Sequence, residues 1–148
     1  MYNLKKGSGT FKGLIGESMF KLTRKSAFLV RFHSKKTFLE KYQGILSLEQ
    51  KLFLNKNWYS LDSIEVVGNK ILLYEIKTRN KYHTPLYFKP KMTLETHYLY
   101  NEAKKLGFLT KMATVWLFDD WNYDVEINDL EENSYCIDKP KLYDKIRG

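Results

Sequence analysis

Cysteine is nearly absent from this 148-residue chain: Cys136 is the only one. A single thiol excludes an intramolecular disulfide and a Cys-based zinc finger, and a reducing compartment is its simplest setting. The three prolines, Pro85, Pro90 and Pro140, are too few and too scattered for a Pro-rich linker. No internal repeat or low-complexity tract is present, and no stretch approaches the ~18 apolar residues of a membrane span. The first ten residues are polar and glycine-containing rather than an apolar leader. One soluble globular domain over 1–148 is therefore expected, intracellular and cytoplasmic. At this length folding buries roughly 68–70% of the exposed surface, enough for a core without disulfides or a structural metal.

Acidic side chains are also scarce, 17 against 25 basic, for a net charge of +8. The imbalance has a geography. Residues 1–60 hold 12 basic and 3 acidic side chains, 61–118 hold 9 and 5, and 119–148 hold 4 and 9. A basic field concentrated in one half attracts phosphate polymers or anionic lipid, and a pI near 9.4 is the usual electrostatic footprint of a nucleic-acid-binding protein. The acidic stretch from Asp119 on, which ends in an acidic and mixed tail over 129–148, is expected on the face away from such a partner.

Periodicity supplies the elements. Phe11, Leu14, Ile15, Met19 and Leu22 recur at spacings of three and four, which predicts an amphipathic helix over 10–25 with Thr10 as its N-cap. Phe28 to Phe32 reads as a strand or a continuation of that helix. Residues 36–55 return to helical spacing, with a break near Gly44. Residues 58–67 and 70–78 are β-branched and aromatic, and Gly68-Asn69 between them is the sequence form of a tight β-hairpin. A helix over 92–106 closed by Gly107 and strands over 112–118 and 121–127 complete an α/β domain, a central sheet flanked by helices.

A two-residue turn at Gly68-Asn69 sets Val67 opposite Lys70 and places Asp62 opposite Glu75, with Ile64, Val66, Ile71 and Leu73 on the same face. Lys77 follows on that face two residues beyond Glu75. Opposed carboxylates repel by up to ~1 kcal/mol unless something offsets them. A hard cation held by one or two carboxylates is one solution; an ordinary Glu–Lys ladder in which Lys77 neutralises both acids is the other.

Asp62, the strand Ile71-Leu72-Leu73-Tyr74-Glu75-Ile76-Lys77, and Glu17 in Gly13-Leu14-Ile15-Gly16-Glu17 together resemble the PD-(D/E)XK nuclease superfamily, most of all its small archaeal Holliday junction resolvases. The resemblance implies a restriction-endonuclease-like fold, a central mixed sheet flanked by helices. It implies Mg²⁺ or Mn²⁺ held by Asp62, Glu75 and the carbonyl of Ile76, with Lys77 orienting the nucleophilic water and Glu17 assisting the metal or its waters. It also implies DNA, double-stranded or branched, as substrate, and a homodimer.

Around this core, Arg79, Lys81 and His83 follow the strand and could meet flanking phosphates, while Lys5, Lys6 and Lys12 belong to a basic N-terminal arm that is expected to be flexible over 1–9. Such contacts set affinity and salt dependence without reading sequence. His33, His83 and His97 share no zinc-ligand spacing. Two other functions stay open on the sequence: a non-catalytic nucleic-acid-binding or assembly module in which the hairpin is structural, and a metal-free ribonuclease of the tRNA-splicing type.

Overall fold

A computed structural model describes residues 4–81, 91–118, 120, 122–130 and 136–138. Helix α1 (Leu4–Thr23) leads into a short strand β1 (Ala27–Leu29) and a 3₁₀ turn (Val30–Phe32). Helices α2 (Lys35–Lys41) and α3 (Leu48–Asn57) follow, then a second 3₁₀ turn (Trp58–Ser60) and the strands β2 (Ser63–Val67) and β3 (Lys70–Asn80). After them come β4 (Lys91–Thr93), α4 (Leu94–Lys105), β5 (Leu109–Leu117), β6 (Tyr123–Asp129) and β7 (Cys136–Asp138).

The main sheet has the order β1-β2-β3-β5-β6, antiparallel throughout except for the parallel pair β3 and β5. A parallel pair needs a crossover, and α4 lies in the connection between those two strands. Strands β4 and β7 form a separate parallel pair. The chain is thus α/β, with a mixed five-stranded sheet and helices on both faces.

Alternation divides the apolar side chains of β3 between two cores. Ile71 and Leu73 point to a core with Phe38, Phe53, Leu54, Trp58, Tyr100 and Phe108 from α2, α3, α4 and the adjoining turns. Leu72 and Tyr74 point the other way, to Phe20 of α1 with Ala113 and Val115 of β5. Both faces being covered explains why β3 reads as a nearly continuous apolar run.

The hairpin has the expected register: Val67 pairs with Lys70, Ile64 with Leu73 and Ser63 with Tyr74. Gly68 takes φ +61° in the turn, a conformation that costs glycine nothing. Several boundaries differ from the periodicity. Helix α1 starts at Leu4 rather than at a Thr10 cap, so Lys5 and Lys6 fall in its first turns and not in an extended arm. The ambiguous 28–32 segment divides into β1 and a 3₁₀ turn.

The helical pattern of 36–55 becomes two helices because Ser47 starts a new one: its hydroxyl caps Gln50 N–H at 3.1 Å while Gln50 Oε1 accepts from Ser47 N–H at 2.9 Å. Met92 belongs to β4, and α4 begins only after Thr93, whose hydroxyl caps Thr96 N–H. Strands β5 and β6 start at Leu109 and Tyr123, each offset by two or three residues from its apolar run. Within the 129–148 segment, β7 is the one described strand.

Candidate active site

The β2–β3 ladder ends at Ser63, and Asp62 lies just beyond it, no longer paired with β3 through its backbone, while its carbonyl accepts the Val30 N–H at 3.0 Å. Its side chain takes over: Asp62 Oδ2 accepts the Ile76 N–H at 2.8 Å. In an extended strand the N–H and C=O of one residue leave on the same flank. The Ile76 carbonyl therefore faces the open flank that Asp62 occupies.

Across this gap the Asp62 carboxyl comes close enough to that of Glu75 for each to perturb the other's ionisation. Glu75 is 8% exposed and ion-paired to Lys77, with Nζ to Oε1 at 3.4 Å. From α4 the buried Tyr100 hydroxyl donates to the Tyr74 carbonyl at 3.2 Å and lies near enough to Glu75 to favour its charged form. Burial and then the Asp62 charge push Glu75 up to about 8 against the pull of Lys77 and Tyr100. Burial also raises Asp62, despite the Ile76 N–H and the Lys77 charge.

A second buried acid on the same hairpin shows that burial alone does not produce this state. Glu65, on the opposite face and 1% exposed, receives the Tyr74 hydroxyl at 2.6 Å, Arg24 Nε at 3.1 Å and the Ser26 hydroxyl. Burial raises its pKa, but these three donors outweigh that and hold it below the ordinary carboxylate value. Glu65 is a satisfied structural acid that ties the α1–β1 corner to the sheet. Glu75 has fewer donors and shares its space with a second carboxyl, which is why its pKa moves in the opposite direction from that of Glu65.

Glu17 is carried to the same place by α1. A Cβ built on Gly16 would lie 1.8 Å from Thr78 Oγ1, so only glycine lets α1 rest this closely on β3. The next residue, Glu17, is 6% exposed and lines a cleft of about 100 Å³ with Arg31, Tyr59, Leu61 and Asp62. Arg31 Nη2 stands 3.1 Å from Glu17 Oε2, yet off the hydrogen-bonding direction, and that buried oxygen has no hydrogen-bond partner. Burial raises the Glu17 pKa, Arg31 lowers it and Asp62 raises it further.

Of the other residues singled out from the sequence, Lys12 and Arg79 approach each other: burial and then the Arg79 charge depress the Lys12 pKa. Arg79 donates to the Thr78 carbonyl at 2.8 Å, and Lys81 Nζ sits 4.8 Å above the Trp116 ring. His83 and the side chains of Lys5 and Lys6 lie outside the described residues.

Arg31, Tyr59 and Tyr100 were not legible as site residues. Tyr100 does follow the α4 stripe His97, Tyr100, Ala103 that faces the interior, but nothing in the sequence points Arg31 at Glu17.

Among the described residues no three His, Cys, Asp or Glu side chains form a metal-ligand cluster. The site offers two carboxyl groups close together, with a third nearby. All its donors are oxygens, the hard ligands Mg²⁺ and Mn²⁺ take. A cation would add positive charge at Asp62 and Glu75 beyond that of Lys77. No family model and no curated protein matches the chain.

Proposed function

We propose that this protein is a Mg²⁺-dependent endonuclease of the restriction-endonuclease-like fold, hydrolysing phosphodiester bonds in double-stranded or branched DNA. The observation that carries the reading is the close approach of two carboxyl groups, the half-buried Asp62 and the buried Glu75, with Lys77 beside them at the open end of a hairpin. Asp62, Glu75 and the Ile76 carbonyl would hold Mg²⁺ or Mn²⁺, and Glu17, whose buried Oε2 accepts no hydrogen bond, would receive waters of that ion. The ion supplies Lewis-acid charge and a more acidic water.

The remaining work falls to the chain. Lys77 orients the attacking water and offsets the negative charge that grows on the phosphate. Lys12 and Arg79 lie at the α1–β3 flank, where their mutual repulsion is relieved by a backbone phosphate, and Lys81 extends the basic rim. The mixed sheet crossed by an acid-bearing first helix agrees with the resemblance to PD-(D/E)XK enzymes. A homodimer would set two such sites across a duplex or a junction.

Incubation of plasmid and four-way-junction DNA with Mg²⁺ tests this directly. Cleavage by the wild type, lost in Asp62→Ala and Lys77→Ala while DNA binding persists, is the expected result. Cleavage indifferent to both substitutions would sink the assignment. Binding with no metal-dependent cleavage at all would favour a non-catalytic DNA-binding module.

A further inference from the structure

Beside the acidic site the chain exposes rings that its own core could have covered. Phe32 is 69% exposed and Tyr59 is 88% exposed, although each sits in a short 3₁₀ turn whose other aromatic or aliphatic residue, Trp58 or Val30, is buried. Tyr59 lines the Glu17–Asp62 cleft together with Arg31, the residue just before Phe32. Phe32 in turn forms the lip of a neighbouring cleft of about 290 Å³ walled by Phe28, His33, Phe38 and Tyr42, with Lys41 at its rim.

The rings in that wall are tilted against one another: Phe28 meets His33 at 4.6 Å and Phe38 at 5.3 Å between centroids, and Phe38 meets Tyr42 at 4.7 Å. A cleft of this volume lies at the small end of ligand pockets and suits one planar ring system rather than a larger ligand.

The charge around these rings selects the partner. From residue 24 to residue 41 the sequence carries six basic side chains and one acidic, Glu40. Lys35 Nζ lies 5.8 Å from the Tyr59 ring centroid and Lys41 Nζ 5.3 Å from that of Tyr42. Exposed aromatic faces interleaved with cations are the arrangement by which proteins bind unpaired nucleotides, the bases stacking on rings while the cations follow the phosphates. In a closed duplex the base faces are occupied by one another, and exposed rings gain nothing from it.

We infer that Phe32, its aromatic cleft and Tyr59 bind unpaired bases of the DNA strand that enters the Asp62–Glu75 site, so that the preferred substrate has single-stranded character next to the scissile phosphate. This rests on the endonuclease reading and narrows its substrate class to branched, flapped or gapped DNA. The strand's phosphates run past Arg31 into the cleft shared by Glu17 and Asp62, and the bases on one side of the break stack outside it.

Fluorescence anisotropy in EDTA, with no cleavage possible, measures the affinity of the full chain for a labelled single strand, a blunt duplex and a duplex carrying a single-stranded overhang. The wild type is expected to bind the strand and the overhang more tightly than the blunt duplex. Phe32→Ala and Tyr59→Ala are each expected to lose about tenfold on the unpaired substrates, collapsing the preference, while Tyr98→Ala, an exposed ring on α4, changes neither affinity.

Equal affinity for all three DNAs, or variants that keep the preference, overturns the inference and leaves the endonuclease reading standing if cleavage still depends on Asp62. Absence of any DNA binding overturns both. If the two substitutions instead convert a dimer to a monomer with DNA preference unchanged, the patch is a contact between copies and the inference fails.

Discussion

Replacing Glu75 by Gln should stabilise the protein at alkaline pH. The folded state holds Glu75 at about 8, against an ordinary value of 4.5. Between those limits the folded chain retains a proton that the unfolded chain has released, so the stabilising contribution is complete below about pH 4.5 and is lost as pH rises through 8. The full displacement corresponds to about 5 kcal/mol, an upper bound because the Asp62 carboxyl titrates together with Glu75.

Over the practical interval from pH 6 to pH 8 the expected loss is about 2 kcal/mol. Glutamine keeps the shape and the hydrogen-bonding capacity towards Asp62 and Tyr100 but has no charge to bury. Urea unfolding of both proteins from pH 5 to 9 in EDTA reads the difference, and groups common to both cancel. The wild-type stability should fall relative to Glu75→Gln by that amount. Parallel curves would refute the claim that Glu75 is a strained acid.

At pH 8, Mg²⁺ at ten times its dissociation constant should stabilise the wild type by about 1.4 kcal/mol and leave the melting temperature of Asp62→Asn unmoved; an equal rise in both would show that the ion binds elsewhere. Gly16→Ala should cost about 1–3 kcal/mol by overpacking against Thr78, measured by urea unfolding, and Thr78→Ala should recover part of it; strict additivity would break the link between that contact and α1. Tyr74→Phe removes a 2.6 Å donor from the buried Glu65 and should cost about 1–3 kcal/mol in the same measurement, with a change under 0.5 kcal/mol counting against the structural role of that acid. In the cleavage assay, Lys77→Met should lower the rate at least about a hundredfold, and a rate within threefold of wild type would remove Lys77 from the chemistry.

Strand periodicity and the Gly68-Asn69 turn were sufficient to set the hairpin register, because a two-residue turn leaves one pairing and alternation then decides which side chains share a face. Asp62, Glu75 and Lys77 could thus be placed together before any tertiary contact was known. Helix limits were less legible. Apolar spacing alone does not reveal that Ser47 opens a fresh helix through a capping box, nor that α1 continues back to Leu4 through residues with no apolar stripe.

What the sequence determined by itself is local: a mixed α/β chain, a basic half, and one hairpin whose end carries two acids and a lysine. Only the tertiary structure decided which buried acid is under electrostatic strain. Glu65 and Glu75 are both buried on adjacent strands of one hairpin, yet Arg24, Ser26 and Tyr74 reach the first, while the second meets Asp62. It also decided that Glu17 joins the site, since a single glycine's missing Cβ lets α1 lie against Thr78. Both outcomes depend on donors and backbones brought together from distant parts of the chain, which spacing within a segment does not encode.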